Sequence, residues 1–171
     1  MKADVKIEPL SEATLNETID LSRRLFPLEP PEYSPKVCFL ASLAPEKYRG
    51  FFEGLGITQA NYWVARTENG KVVGVAGLYS SKGDEAEAYW GGWGGVDENF
   101  RGQGIFSALA KFVVQKAKDD GKKFLRLYTS THPNEADAQR FYDTHGFVIT
   151  KREPLQIGDK TFEKLYRELK L

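Results

Sequence analysis

The spacing of apolar and polar residues predicts helices in the first third of the chain. A short strand at 5–8 precedes a helix that begins at Ser11, because apolar or small residues recur from there at intervals of three and four. Prolines at positions 27, 30, 31 and 35 then predict a loop without regular structure. A second helix is predicted from Pro45, with Tyr48, Phe51, Phe52 and Leu55 on one face.

The pattern then changes to that of strands. The runs 61–66 and 71–79 are rich in β-branched and aromatic residues, and the Asn69-Gly70 pair between them indicates a hairpin. A third strand is predicted at 85–96. The later elements are a helix at 104–120, a strand at 123–129, a helix at 135–145, and strands at 147–152 and 161–169. We therefore expect one α/β domain, residues 1–171, with helices around a single mixed sheet.

Composition narrows the classes of partner. Lysine plus arginine number 24 and aspartate plus glutamate also number 24. The net charge is therefore close to zero and does not favour binding to nucleic acid or to an anionic membrane. The lone Cys38 excludes an intramolecular disulfide and a zinc cluster of thiolates, and we interpret it as a small, partly buried apolar residue. No apolar run approaches the ~20 residues that span a bilayer. We expect a cytoplasmic protein with no metal, nucleic-acid or membrane partner.

Glycine is concentrated between residues 91 and 104. Gly91, Gly92, Gly94 and Gly95 lie in a predicted strand, where each costs roughly 0.5–1 kcal/mol relative to alanine and marks a bulge or a close approach. Arg101-Gly102-Gln103-Gly104 then leads into a helix, whose first amides point at whatever precedes them. Such a turn favours phosphate binding, although an ordinary tight turn explains it equally well.

A dinucleotide would be one ligand for this turn. Gly102-x-Gly104-x-x-Ser107 approaches the dinucleotide fingerprint. The motif lies late in the chain, however, after an antiparallel meander. The next strand also ends without the acidic residue that holds a ribose, so the pattern disfavours this ligand.

Two motifs in the sequence, considered together, indicate a different class of ligand. The stretch 96–105, VDENFRGQGI, resembles the acyl-CoA signature of the GNAT superfamily of N-acetyltransferases, R/Q-x-x-G-x-G/A after a strand that ends in an apolar residue. The stretch 138–147, AQRFYDTHGF, is similar to that family's A-x-x-x-Y-x-x-x-G-F helix. The predicted order of elements is also similar to the family's along the whole chain.

The resemblance implies the acyl-CoA N-acyltransferase fold, a mostly antiparallel sheet with a central, splayed parallel pair of strands. Acetyl-CoA is the implied cosubstrate. Its pyrophosphate would bind backbone amides from Gln103 to Phe106, and Arg101 would add charge. Its pantetheine arm would pass between strands that end near Val96 and Thr129, splayed by a bulge at Gly94 and Gly95. The implied cofactor-binding residues are Val96, Arg101, Gly102, Gln103, Gly104, Ile105 and Phe106.

The resemblance also assigns a catalytic residue, Tyr142, which would lie near the thioester sulfur. A phenol with a pKa of about 10 protonates a thiolate near 8.5 only at a cost of roughly 2 kcal/mol in water. We therefore interpret Tyr142 mainly as a hydrogen-bond donor to the departing sulfur. The alternative is an aromatic residue that simply packs between helix and sheet.

Three positions depart from the family pattern. Phe106 stands where glycine or alanine is usual, and we hypothesise that the strand glycines leave room for its ring. Asn134 is one residue farther from Ala138 than is usual, so we expect it only to cap its helix. Trp90 occupies the place of the glutamate that serves many relatives as a base, which leaves Glu85, Glu87, His132 or an ordered water.

The acceptor is indicated only by aromatic residues. Eight aromatic residues are expected in the region of the acceptor cleft: Phe26, Tyr33, Phe39, Tyr48, Trp63, Tyr89, Trp90 and Trp93. We expect more than half of them to belong to the core and the others to contact the acceptor. We expect transfer of an acetyl group to the primary amine of a small molecule. The alternatives are a protein lysine or N-terminal amine, another acyl group, or CoA binding without turnover. A homodimer is a further implication of the family.

Overall fold

The structure is a computed structural model that describes residues 4–27 and 34–171. Part of the predicted proline-rich loop, with Pro30, Pro31 and Tyr33, lies outside the described residues. The first half of the chain forms β1 (Val5–Pro9), α1 (Glu12–Leu25), α2 (Pro35–Leu43), α3 (Arg49–Leu55), β2 (Ile57–Thr67) and β3 (Val72–Ser81). The second half forms β4 (Ala88–Gly91), β5 (Gly95–Val96), α4 (Ile105–Asp119), β6 (Phe124–Ser130), α5 (Ala136–Thr144), β7 (Val148–Ile157) and β8 (Lys160–Lys170). None of these described helices is both long and apolar enough to cross a membrane.

The strands form one sheet of eight, in the order β1-β2-β3-β4-β6-β8-β7, and β5 pairs with β3. Among the described strands, β4 and β6 are the one parallel pair, and the other pairs are antiparallel. This arrangement confirms the predicted sheet. It also places a parallel pair of strands near the middle of the molecule, beside the glycine-rich turn.

Helices cover the two faces of the sheet separately. Strand β2 shows the alternation, since Tyr62 and Val64 pack against one cluster of core residues while Trp63 and Ala65 join clusters on the other side. Helices α1, α2 and α3 lie on the first face, called here the α1 face, and α4 and α5 lie on the second, called the α4 face. The sequence-predicted apolar stripe of α4 is confirmed: Ile105, Leu109, Val113 and Ala117 are buried.

One helix was not predicted. Pro35, which was expected to prevent regular structure, begins α2, and Phe39 and Ala41 of that helix are fully buried. A proline is well accommodated in the first turn of a helix, because the amide it lacks has no intrahelical partner there. The helix predicted from Pro45 also begins later than expected, since α3 starts at Arg49.

Candidate functional site

The turn before α4 presents a run of unpaired backbone amides. Gly102 and Gly104 have φ angles of 73° and 83°, values that favour glycine, and Gly104 is the N-cap of α4. No described side chain caps the helix, and the first backbone hydrogen bond is from Ala108 to Gly104. The amides from Gly102 to Ser107 therefore lack an acceptor within the described residues, at the positive end of the helix dipole.

Strands β4 and β6 stop pairing with each other beside this turn. Their parallel pairing ends at Trp90 and Arg126; beyond that point β5 pairs with β3, and β6 keeps the pairing with β8 that it makes along its whole length. Gly92 still donates to the carbonyl of Gly77, and Gly95 pairs with Val75, so Trp93 and Gly94 together face Ala76. One extra residue on one strand is a β-bulge. It lies one residue earlier than predicted, and it opens a cleft between β5 and β6.

The edge of β5 that faces this cleft carries the backbone groups of Val96. Because Asp97 donates to Val73 on β3 at 2.9 Å, the amide and carbonyl of Val96 point the other way, toward β6. Arg101 lies at the same edge, where its Nε donates to the Val96 carbonyl at 3.3 Å. The structure thus brings Val96 and Arg101 together at the mouth of the cleft.

The glycines leave room for side chains other than Phe106. A Cβ atom at Gly77 would lie 2.3 Å from the Tyr62 ring, and one at Gly92 would lie 2.8 Å from the Tyr62 hydroxyl oxygen. At Gly95 a Cβ would lie 2.9 Å from Leu25 of α1. The expectation that Phe106 fits against these glycines is wrong. Tyr62 and Leu25, both on the α1 face, take the space at Gly92 and Gly95, and Leu127 lies nearest at Gly91.

Phe106 instead bridges the cleft on the α4 face. Its ring makes edge contacts with Phe141 and Tyr142 of α5, with ring centroids 5.1 and 6.3 Å apart. Helix α4 begins on one side of the cleft and α5 lies on the other. The phenyl ring in the position usually held by a small residue therefore joins the predicted phosphate turn to the predicted catalytic tyrosine.

Tyr142 lies on the α4 face with a largely buried ring and an unengaged hydroxyl. The ring packs on Phe147 at a centroid distance of 5.0 Å, and no described residue hydrogen-bonds its oxygen. Burial and, to a smaller extent, the charge of Glu135 raise the pKa of Tyr142 to about 12, against the opposing charge of the Arg167 guanidinium. Tyr142 is therefore a protonated donor at neutral pH.

A buried arginine supports the helix that carries Tyr142. Arg167 of β8 is 3% exposed, and its guanidinium donates to Gln139 at 2.7 Å and to the carbonyl of Phe147 at 3.2 Å. It also pairs with Asp143 at 2.8 Å and lies 5.7 Å from the centre of the Tyr142 ring. Sequence reasoning missed Arg167, because only the pairing of β8 with β6 brings it beneath α5.

Two side chains before and within α5 fix the end of β6. The carboxylate of Glu135 accepts from the Thr129 hydroxyl and from the Ser130 amide, both at 2.9 Å, and from the Ser130 hydroxyl. Gln139 donates to the Ser130 carbonyl at 2.7 Å. This wall of the cleft is thus bound to the helix that carries Tyr142. No motif signalled these contacts, since they depend on the turn between β6 and α5.

Asn134 does not cap α5 as expected. Glu135 occupies the N-cap position, and the amide of Asn134 donates to Nδ1 of His132 at 3.1 Å. Asn134 lies in a short 3-10 helix, Pro133–Glu135, that precedes α5. The prediction treated the two helical segments as one, and so placed the start of α5 one residue too early.

The predicted aromatic lining is divided between the two faces. Trp63 and Tyr89 are buried on the α4 face, and Phe39 is buried on the α1 face. Phe26 and Trp93 contact each other with ring centroids 4.9 Å apart, Trp93 lying in the bulge itself. Trp63 and Tyr89 therefore belong to the part of the set that was expected in the core, because the alternation of strand residues turns them toward α4.

Comparison with known proteins decides the family. Residues 22–147 match the family model described as the acetyltransferase (GNAT) family. The chain belongs to the GNAT acetyltransferase family. None of the curated proteins compared matches the chain significantly.

Solved structures share the GNAT fold with this chain. An N-acetyltransferase from Staphylococcus aureus Mu50 has a TM-score of 0.73 at 17% identity, with 98% of this chain and 99% of that chain covered. Arabidopsis thaliana NAA60, in complex with a bisubstrate analogue, has a TM-score of 0.73 at 17% identity, with 98% of each chain covered. The protein yncA from Salmonella typhimurium, with its cofactor acetyl-CoA, has a TM-score of 0.70 at 16% identity, with 99% and 95% covered. At these identities the likeness shows the fold.

Within this GNAT fold, the carboxylates of the two glutamates considered as bases already have partners. Glu85 accepts from the amide of Gly83, and Glu87 pairs with Arg126 at 3.0 Å. Glu87 precedes β4, and the guanidinium of Arg126 that holds its carboxylate is shared with Asp84 and Glu168. Trp90 itself donates from its indole to Asp84 at 3.0 Å. These positions leave His132 and an ordered water as the sequence-predicted bases nearest the end of β6.

Proposed function

We propose that the chain transfers the acetyl group of acetyl-CoA to the primary amine of a small molecule. The observation that carries the proposal is the run of acceptor-free amides from Gly102 to Ser107, beside the gap between β5 and β6. These amides suit the pyrophosphate of the cosubstrate, since several N–H groups and a helix dipole converge there. The yncA structure with acetyl-CoA is consistent with this ligand.

The backbone of Val96 suits the pantetheine arm. Its amide and carbonyl face the gap that the bulge opens, so an extended ligand with its own amides extends the sheet there. Arg101 covers the Val96 carbonyl at 3.3 Å. We propose that its guanidinium moves onto a phosphate when the ligand binds, because a charged acceptor holds it more strongly than a neutral carbonyl.

Tyr142 acts on the leaving group in this proposal. Its pKa of about 12 lies above the value of about 8.5 expected for a thiol, so complete proton transfer to the sulfur costs about 5 kcal/mol. A hydrogen bond to the developing thiolate carries no such cost, and it strengthens as negative charge grows on the sulfur. Tyr142 is therefore a hydrogen-bond donor, and the thiolate takes its proton from solvent.

The acceptor approaches from the α1 face. There the Tyr79 and Trp90 rings stack with centroids 6.4 Å apart, next to the carboxylate of Asp84. Aromatic faces and carboxylates attract an amine in its cationic form, which must lose a proton before it attacks the thioester. Because the carboxylates of Glu85 and Glu87 have partners and His132 packs on Phe162 while its Nδ1 accepts from the Asn134 amide, an ordered water is the base that we propose.

Release of the CoA thiol tests the proposal. The protein is incubated with acetyl-CoA and a panel of primary amines, and free thiol is followed with a chromogenic disulfide. We expect release that depends on both enzyme and amine, and that saturates with a small amine. Thiol release only with peptides that carry a lysine or a free N-terminus would show that the acceptor is a protein amine and not a small molecule. Thermal stabilisation by CoA without any thiol release would reduce the chain to a CoA-binding module.

A further inference from the structure

Lys164 places an amine of the chain itself beside the cleft. It lies on β8 opposite Ser130, the last residue of β6, and its Nζ is 4.1 Å from the centre of the Tyr128 ring. The same Nζ is 5.0 Å from the centre of the Tyr166 ring. The two rings, with centroids 6.0 Å apart, hold the ammonium on the α1 face of the sheet.

The electrostatic setting of Lys164 differs from that of its neighbour Lys151. Lys151 also lies above Tyr166, at 5.3 Å, but it is paired with Glu153 at 2.7 Å. Within the described part of the chain, no carboxylate lies within ion-pair distance of Lys164. The described contacts of the Lys164 ammonium are the faces of these two rings, and the carboxylate of Glu153, opposite Lys164 on β7, acts on it only from beyond ion-pair distance.

The position of Tyr128 connects this lysine to the cleft. The parallel pairing ends at Arg126, so Tyr128, two residues later, belongs to the part of β6 that forms the cleft wall. Leu125 and Leu127 face α4, and Tyr128 therefore faces the α1 side. Tyr142 approaches from the opposite face, on α5. The amine of Lys164 and the proposed leaving-group donor thus lie on the two sides of one cleft.

We propose that Lys164 is an acceptor for the acetyl group, so that the chain modifies itself. The inference depends on the function proposed above. The neutral Nζ attacks the thioester carbonyl carbon, a C–N bond forms, and the C–S bond breaks with its electron pair on sulfur. The lysine ammonium, which carries three protons, loses two: one goes to the thiolate through solvent and the other stays in solvent. The products are acetyl-lysine, CoA with a free thiol, and one proton.

Acetylation would change the acceptor face. The acetylated side chain is neutral and no longer offers a cation to Tyr128 and Tyr166. It also becomes longer and bulkier at the wall of the cleft. Self-modification would therefore alter the surface that an external amine meets.

The test compares two lysines in one protein. The folded chain is incubated with acetyl-CoA, and acetylation at each lysine is followed over time by peptide mass mapping. We expect Lys164 to be acetylated at least about tenfold faster than Lys151, because the reaction within one molecule benefits from proximity. The rate constant should be unchanged when the protein is diluted, and CoA in excess should suppress it. K164R should lose this modification, whereas K151R should retain it.

Other results would overturn the inference. Lys164 would not be an intramolecular acceptor if it reacted no faster than Lys151, or no faster than in the urea-unfolded chain. A rate constant that fell in proportion to protein concentration would point to transfer between molecules instead. The amine panel separates this failure from failure of the proposed function: thiol release with external amines and an unmodified Lys164 overturn self-acetylation alone. No transfer to any amine or to Lys164 overturns both.

Discussion

The guanidinium of Arg167 lies 5.7 Å from the centre of the Tyr142 ring, while its nitrogens bind Gln139, Asp143 and the carbonyl of Phe147. A buried cation thus organises the helix that carries the proposed leaving-group donor, and its charge opposes the rise that burial produces in the pKa of Tyr142. Because the two residues come from α5 and β8, the donor depends on a strand that lies outside the stretch 138–147 in which the motif was recognised.

Replacement of Tyr142 by phenylalanine tests the donor directly. Y142F removes only the hydroxyl, which has no partner in the described structure, so we expect stability to be nearly unchanged. The rate of thiol release should fall by about 100-fold if the hydroxyl stabilises the leaving thiolate. Y89F is the matched control, since the Tyr89 hydroxyl binds Asp120 on the α4 face at 2.7 Å, and its turnover should be normal. Full activity in Y142F would remove Tyr142 from the mechanism.

The turn before α4 can be probed with a single methyl group. Gly102 and Gly121 have φ angles of 73° and 76°, and a Cβ atom at either would meet open space. Both G102A and G121A should therefore lose about 1–2 kcal/mol in a denaturant melt, from backbone strain alone. We expect only G102A to weaken acetyl-CoA binding in calorimetry, by at least about tenfold. Equal affinity in the two variants would place the pyrophosphate elsewhere.

Asp97 predicts a loss of stability in acid. Burial by itself raises the pKa of this carboxyl, which is 3% exposed, but hydrogen bonds from Asn99 and Arg24 and the charge of Lys71 bring its pKa below the ordinary value. The resulting stabilisation is fully present above about pH 4 and is lost as the pH falls through the folded pKa. We expect D97N to cost about 1–3 kcal/mol in urea at pH 7 and less near pH 3.

The control for Asp97 is Asp20. Its carboxylate pairs with Arg23 at 3.2 Å, and both side chains are 65% exposed. D20N should therefore cost less than about 0.5 kcal/mol at either pH. A D97N variant as stable as D20N at pH 7 would show that the buried carboxylate does not stabilise the turn before α4.

The packing of Tyr62 against two glycines gives a paired test. G92A places its methyl group against the Tyr62 hydroxyl, whereas G77A places one against the ring itself. Each variant should cost about 1–3 kcal/mol, the usual range for overpacking. Y62F should relieve part of the cost of G92A and none of the cost of G77A, as measured by a double-mutant cycle in urea. Equal relief of both would mean that the ring moves as a whole.

Local signals were sufficient for the parts of the site that lie along one stretch of chain. The glycine-rich turn, the start of α4 within one residue and its buried stripe all follow from neighbouring residues, and the structure confirms them. The bulge was placed within one residue, because glycines in a strand mark such a break whatever lies across it. The helix at Pro35 was not predicted, because proline can either end a helix or stand in its first turn.

Contacts between distant segments could not be read in the same way. The glycines indicated a close approach, but only the register of β2 on β3 shows that Tyr62 fills the space. Phe106 was assigned to the wrong neighbours for the same reason, since its partners are on α5. Arg167, Glu135 and Gln139 carry no motif, although they hold the end of β6 and the helix with Tyr142 in place.

The most direct test of the account is a titration of the isotope-labelled protein with acetyl-CoA, followed by the backbone amide resonances. The account predicts that the largest shifts fall on the amides from Gly102 to Ser107, which lack acceptors in the structure, and on the amide of Val96. The amides of Gly121, which follows α4, and of Gly158, between β7 and β8, should be unchanged. Saturable binding with shifts confined to other residues, or no binding at all, would contradict the proposed acetyl-CoA site and the acetyl transfer built on it.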